Sequence, residues 1–161
     1  MAHRVQMFYG EVAIPAIRIY SQGHDTDVTA EHRLRLYQGL QFFNHAFQKA
    51  YPSKLSNEQP EVYCVGARWE IDTQISAMLA HALNLKNIAA RNDPDVLIQS
   101  SESGKGIVLP VSIKILCVSI FHHAPAAQIR LLKYRLAQQY PELKIISVSY
   151  THLTLPTNRE V

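Results

Sequence analysis

The pattern of hydrophobic and polar positions divides the chain into an N-terminal helical part and a C-terminal α/β part. Apolar residues recur at helical spacing over 7–20 and again over 30–50, which predicts a helix in each stretch. Pro15 lies within the first helix, where its missing N–H should produce a kink or start a new turn. We expect six residues to lie along or beside the inner face of the second helix: Leu34, Tyr37, Leu40, Phe43, His45 and Phe47.

From residue 61 onward the pattern predicts strands that alternate with helices. The run 62–65 is rich in β-branched and aromatic residues, and 113–120 carries the clearest strand pattern of the chain. A weaker strand is predicted within 87–91 and another over 143–147. One helix should begin at Glu70 and another just after Pro125, since proline is accepted in the first turn of a helix. The residues expected to face inward from that last helix are Ile129, Leu132, Tyr134, Leu136 and Ala137.

This order of elements predicts an α/β fold. Strands that alternate with helices pair in parallel, so we expect a Rossmann-like, mostly parallel sheet over residues 61–147. A helical cap over 1–52 and a polar, proline-bounded linker over 53–60 should precede it. Residues 148–161 fit no further element, and they resemble the peptide produced when a sequencing adapter is translated. We therefore expect a non-native tail and an α/β domain truncated at its C-terminus.

Composition narrows the class of protein. The 161 residues are 47% hydrophobic and 18% charged, as in a globular chain, and the net charge of +3 is scattered rather than concentrated in the basic stripe of a nucleic-acid binder. Both cysteines fall in predicted buried strands, where inert core thiols are expected. No apolar run approaches the roughly 20 residues of a membrane-spanning helix. No signal peptide is visible, so we expect a soluble, cytoplasmic chain.

The turn between the first predicted strand and its helix is the candidate site, because ligands in open α/β sheets bind outside the carboxyl ends of the strands. It contains Gly66, Arg68, Trp69, Glu70 and Asp72, which would border a ligand or partner pocket. Ser119 and His122, near the end of the strand predicted over 113–120, complete the set of seven candidate binding residues. A purely structural alternative remains open. In that alternative the two carboxylates complement the helix dipole, the indole covers the sheet end and the arginine pairs with a carboxylate.

Other motifs predict no catalytic, cofactor or metal site. The loop 103–106 contains two glycines and a lysine but lacks the spacing of a phosphate-binding loop, and no Gly-x-Gly-x-x-Gly fingerprint follows the first strand. His122 and His123 end the strongest strand, where ligand groups gather, yet adjacent histidines rarely bind one metal without further ligands. No nucleophile stands beside an evident base, so the sequence predicts neither an enzyme nor a cofactor.

Two blocks of the sequence resemble the cytosolic C-terminal region of the autoinducer-2-exporter-type permeases, a family of multi-spanning bacterial membrane proteins. Residues 8–19 (FYGEVAIPAIRI) are similar to the helix Y-x-E-V-L-I-P-A-L-R-L of that family. Residues 62–72 (VYCVGARWEID), followed by Ala77-Met78-Leu79, are similar to V-L-C-V-x-x-R-x-E-x-D and A-x-M-L. Residues 125–146 match a helix with R-x-L-x-x-R-L, then a proline and a strand.

The resemblance implies a non-catalytic domain with a regulatory, sensing or assembly role in the transport of a small solute. Its partner would be the membrane-spanning part of a parent permease in the inner membrane, with this domain on the cytosolic side. A small ligand or a second copy of the chain is a further expected partner.

The layout of a helical cap before an α/β domain is also similar to cobalamin-binding regulatory modules. Aligned on Arg68-x-Glu70, Trp69 stands where those modules have a cobalt-binding histidine, and Asp72 stands where they have a glycine. An indole has no basic nitrogen for a metal, so both differences argue against cobalamin. Ser119 does match the serine after their third strand. The alternative function is therefore a free-standing sensor or protein-interaction module of this fold.

Overall fold

The computed structural model describes residues 2–22, 30–55, 59–67, 70–93, 108–121 and 126–149. Its first part is helical, and α3 matches the predicted second helix residue for residue. The helices of this part are α1 (Ala2–Phe8), a π-helical turn (Tyr9–Ala13), α2 (Ile14–Gln22) and α3 (Ala30–Ala50). The first helical stretch therefore begins about five residues before the predicted start.

The irregularity predicted at Pro15 takes the form of the π-helical turn immediately before it. The Ile14 N–H donates to the carbonyl of Tyr9, five residues back, so one extra residue is accommodated in this turn. Pro15 is then the second residue of α2, inside a helical run that continues without a break from α1, and its missing N–H removes one hydrogen bond from that run.

The second part is a four-stranded sheet in which every pairing is parallel, in the order β2-β1-β3-β4. Its strands are β1 (Val62–Gly66), β2 (Ala90–Asn92), β3 (Ile115–Ser119) and β4 (Lys144–Val148). The helices of this part are α4 (Glu70–Leu85) and α5 (Ala126–Gln139). The chain is thus α/β, with an N-terminal helical segment before an all-parallel sheet of Rossmann-like type, as predicted. The strand order is that of a flavodoxin-like doubly wound sheet.

Alternate residues of β1 and β3 point to opposite faces of the sheet, and each face has its own core. Tyr63 and Val65 pack with Leu116 and Val118 against α5, through its buried Leu136. On the other face, strands β1, β2 and β3 and helix α4 contribute the buried residues of the core, which are Val62, Cys64, Ala80, Ala90 and Cys117.

A third apolar cluster joins the helical segment to α4. Its fully buried members include Val5 and Ile17 from the N-terminal helices, which pack with Ile75 and Met78 of α4 and with Phe121 after β3. The helical segment therefore rests on the outer surface of α4, and α4 is sandwiched between it and the sheet.

Some predicted inward positions are wrong. Leu34 and Phe43 of α3 are 54% and 48% exposed, and His45 is also exposed, because only one narrow side of α3 meets α4. Tyr134 of α5 is 64% exposed, since the inward stripe of that helix runs through Leu136 instead. The predicted strand 143–147 is shifted by one residue to Lys144–Val148, where Val148 is paired with Ser119. The predicted boundary of the tail therefore falls inside β4, and residues 150–161 lie outside the described part.

Candidate functional site

The structure describes four of the seven residues predicted as a site. Arg68, Trp69 and His122 lie outside the described residues, as do His123 and the glycine–lysine loop 103–106. The other four, Gly66, Glu70, Asp72 and Ser119, belong to three different environments at the carboxyl end of the sheet.

Gly66 ends β1 and lies against the first turn of α4. A Cβ at this position would stand 2.5 Å from the backbone N of Thr73 and 2.7 Å from the carbonyl carbon of Asp72. Those are backbone atoms, which cannot turn aside as a side chain can. The glycine is therefore required by close packing of helix against strand, a role that glycine also has in nucleotide-binding βα units.

Asp72 is fully buried and ties the start of α4 to the end of β3. Its Oδ1 accepts a hydrogen bond of 2.9 Å from the backbone N–H of Phe121. The position in the first turn of α4 also places the carboxylate at the positive end of the helix dipole. The structural alternative considered from sequence therefore fits Asp72, which faces the protein interior rather than an open pocket.

Ser119 is the last residue of β3 and lies opposite Gly66 and Val148 in the sheet. Its side chain is completely buried, and its hydroxyl has no hydrogen-bond partner among the described residues. No described base lies within hydrogen-bond distance of it, so the geometry does not activate this hydroxyl as a nucleophile.

A cleft of about 510 Å³ lies between α3 and α4. We name it the α3–α4 cleft. One wall of the cleft belongs to α3 and consists of polar residues spaced 3, 4 or 7 positions apart, namely Tyr37, Gln41, Asn44, His45 and Gln48. The α4 wall is Glu70, Thr73, Gln74 and Ala77, and Asn92 closes the end of the cleft at the tip of β2.

Side-chain amides form the floor of the α3–α4 cleft. Gln48 Nε2 donates to Asn44 Oδ1 at 3.1 Å, and Asn44 Nδ2 donates a longer bond of 3.4 Å to Gln74 Oε1. Asn92 Nδ2 donates to the Cys64 carbonyl at 3.0 Å and to Ser76 Oγ at 2.7 Å. These bonds fix the orientation of four amide groups around the opening.

Of the predicted site residues that the structure describes, Glu70 alone lines the α3–α4 cleft. Asn44, Gln74 and Asn92 were missed, and His45 was assigned only an ordinary structural role. A signal was present in the sequence. Gln41, Asn44 and Gln48 fall at helical spacing and make a polar stripe beside the apolar one on the same helix. The stripe by itself did not reveal that α4 would carry a matching polar stripe opposite it.

A buried histidine joins three segments of the fold. His81 of α4 is 6% exposed; its Nδ1 is 2.8 Å from the Tyr9 hydroxyl and its Nε2 is 2.8 Å from the Tyr51 carbonyl. Because a carbonyl only accepts, Nε2 donates to Tyr51 and Nδ1 is the acceptor for the phenol proton of Tyr9. These two bonds fix the orientation of the ring, and burial raises the pKa of Tyr9.

The two cysteines are direct neighbours on β1 and β3. Cys64 and Cys117 are register partners, both buried and both free. The hydrogen bond between the two thiols and burial raise the pKa of the Cys64 thiol. A thiol held protonated in this way is a poor nucleophile, which fits the inert core role expected from sequence.

Within the described residues, no group of three or more His, Cys, Asp or Glu side chains is placed to hold a metal ion. None of the described helices is both long enough and apolar enough to cross a membrane. The chemistry that the described part offers is hydrogen bonding from amides, hydroxyls and one carboxylate around an open cleft. No protein-family model, curated protein or solved structure matches this chain.

Proposed function

We propose that the chain is a non-catalytic regulatory domain of an autoinducer-2-exporter-type permease, with its partner the membrane-spanning part of the parent protein. The single observation that carries the proposal is the contact between the two sequence blocks that resemble that family. Tyr9, in the first block, donates to His81, which follows the second block. The two blocks are thus in direct contact in the fold. In the proposed role, the N-terminal helices would connect the α/β part to the membrane-spanning part of the parent protein.

The non-catalytic part of the proposal is supported by the state of the reactive side chains. His81 uses both ring nitrogens in buried hydrogen bonds, and the free thiols of Cys64 and Cys117 are hydrogen-bonded to each other in the core. These groups are thereby committed to holding the fold, and a general base or nucleophile would have to leave its partners to act.

Sequencing the source DNA on the 5′ side of the Met1 codon tests the proposal directly. Several in-frame apolar segments of about 20 residues each would support a permease parent. An in-frame stop codon next to a ribosome-binding site would refute it.

A second measurement then separates regulation from assembly. The parent permease is produced with and without residues 1–147, and both its abundance in the membrane and its rate of solute efflux are measured. Regulation predicts equal abundance with an altered efflux rate. Assembly predicts a lower abundance with an unchanged efflux rate per molecule. If neither the abundance nor the efflux rate changed, the proposed role would be refuted.

The alternative function is a free-standing sensor with a cobalamin-type layout, favoured by the helical segment before the sheet and the strand order β2-β1-β3-β4. The environment of Asp72 opposes cobalamin as its ligand, because the carboxylate occupies the junction of α4 and β3 where those modules keep a glycine. Mixing the chain with hydroxocobalamin and recording the visible spectrum tests this. A stoichiometric spectral shift would favour the alternative.

A further inference from the structure

We propose that the α3–α4 cleft binds a small, neutral, polyhydroxylated molecule of mono- or disaccharide size. The inference deepens the regulatory role proposed above by naming what the domain senses. The cleft volume of about 510 Å³ lies within the range of small-molecule sites and exceeds what a single sugar ring fills.

Nine of the ten residues that line the cleft have a polar side chain, and this favours a hydrogen-bonding ligand. Of the ten residues that line it, Ala77 is the only one with a purely aliphatic side chain. A nucleobase or another flat apolar ligand needs apolar or aromatic side chains on both sides. A polyhydroxylated ligand instead replaces its hydrogen bonds to water with hydrogen bonds to the protein. Tyr37 supplies one ring, which is enough for the apolar C–H face of a single sugar.

Both donors and acceptors remain free in the cleft. Gln74 is 9% exposed, its Oε1 is engaged by Asn44, and its Nε2 donates to no described residue. Asn92 uses its amide nitrogen for two structural bonds, so its Oδ1 is left as an acceptor with no partner among the described residues. Hydroxyl groups both donate and accept, and they can satisfy two such groups at once.

Charge disfavours the anionic relatives of such ligands. The described residues that line the cleft include one carboxylate, Glu70, one imidazole, His45, and no lysine or arginine. A phosphate would therefore meet repulsion from Glu70 without a permanently charged cation to offset it. A carboxylate oxygen, in contrast, is a strong acceptor for neighbouring hydroxyls.

The test is titration of the full chain with D-ribose, D-glucose and cellobiose, followed by calorimetry and by amide chemical shifts. We expect at least one sugar to bind saturably with a Kd of about 1 mM or tighter, and to shift amides of α3 and α4. Gln74→Met keeps the length of the side chain, removes the free donor, and should weaken binding by about 10-fold. Gln38→Met, on the exposed side of α3, is the matched control and should bind as the unaltered chain does.

Thr73→Val is a second variant, in case Gln74→Met does not fold, and it should also weaken binding. D-glucose 6-phosphate should bind less tightly than D-glucose. The inference is overturned if none of the three sugars binds, if Gln74→Met and Thr73→Val leave the affinity unchanged, or if only the phosphate binds. If the chain binds a sugar but its removal changes neither the efflux rate nor the abundance of the permease, this inference stands and the proposed function is refuted. If the chain binds no sugar but its removal changes efflux or abundance, the proposed function stands and this inference is refuted.

Discussion

Replacing Gly66 by alanine should sharply destabilise the protein, whereas the same replacement at Gly39 should stabilise it. At position 66 the new Cβ would lie 2.5 Å from Thr73 N, and ordinary contact begins at 3.4 Å. Helix α4 must therefore move away from β1 by about 1 Å, which loosens two cores at once because α4 packs on both the sheet and the helical segment. Overpacking typically costs 1–3 kcal/mol, and a clash with rigid backbone belongs at the upper end, about 3 kcal/mol.

Gly39 offers a matched control within α3. A Cβ there meets nothing within 4 Å, and the residue is in the interior of a 21-residue helix. Alanine is favoured over glycine in a helix interior by about 0.8–1 kcal/mol, so Gly39→Ala should raise stability by about that amount.

The assay is thermal and urea unfolding followed by far-ultraviolet circular dichroism. For a chain of this size about 3 kcal/mol corresponds to a fall in Tm of about 6–12 °C for Gly66→Ala, and Gly39→Ala should raise Tm by about 2–4 °C. If Gly66→Ala lost less than about 1 kcal/mol, the close approach of β1 and α4 would be wrong. A loss of stability in Gly39→Ala would instead contradict the open space found at position 39.

Three further outcomes are expected. Tyr9→Phe should lower stability near neutral pH by about 1–2 kcal/mol, since it leaves His81 Nδ1 buried without a donor, and urea unfolding measures this. Burial raises the pKa of Tyr9 above its ordinary value of 10.0, so the stability that the neutral phenol contributes is fully present below pH 10.0 and is lost as the pH rises above it. Tyr9→Phe should therefore flatten the decline of the free energy of unfolding at alkaline pH, and an unchanged decline would contradict this. Ser119→Ala should be neutral or stabilising by up to about 1 kcal/mol, because it removes a buried hydroxyl without a described partner; a loss above 1 kcal/mol in the same assay would mean that the hydroxyl is bonded. Cys64 and Cys117 should react with a thiol reagent only after unfolding, and rapid labelling of the native chain would refute their burial.

The α/β fold was predictable because it follows from short-range pattern. The β-branched run of β1, the 21 residues of α3 and the proline that precedes α5 are signals within single elements, and the structure places elements there. Element ends were less certain, as at β4, where pairing of Val148 with Ser119 adds a residue that the hydrophobic pattern does not require.

The candidate site was predicted in part. Placing function near the start of α4 located Glu70 at the cleft, but the same reasoning grouped it with Asp72, which turns inward to Phe121. Two carboxylates two residues apart on a helix point about 200° apart, and only the position of the sheet decides which one is buried.

The sequence by itself determined the order of helices and strands, the parallel sheet and the burial of Cys64 and Cys117. Each of these depends on residue type and spacing within about 20 positions of the chain. Only the tertiary structure decided that those thiols face each other, that Gly66 touches the backbone of Thr73, and that amides of α3 meet those of α4 across a cleft. The distances in these contacts are set by how whole helices pack on the sheet and on each other rather than by any local preference, even for Gly66 and Thr73, which are near in sequence.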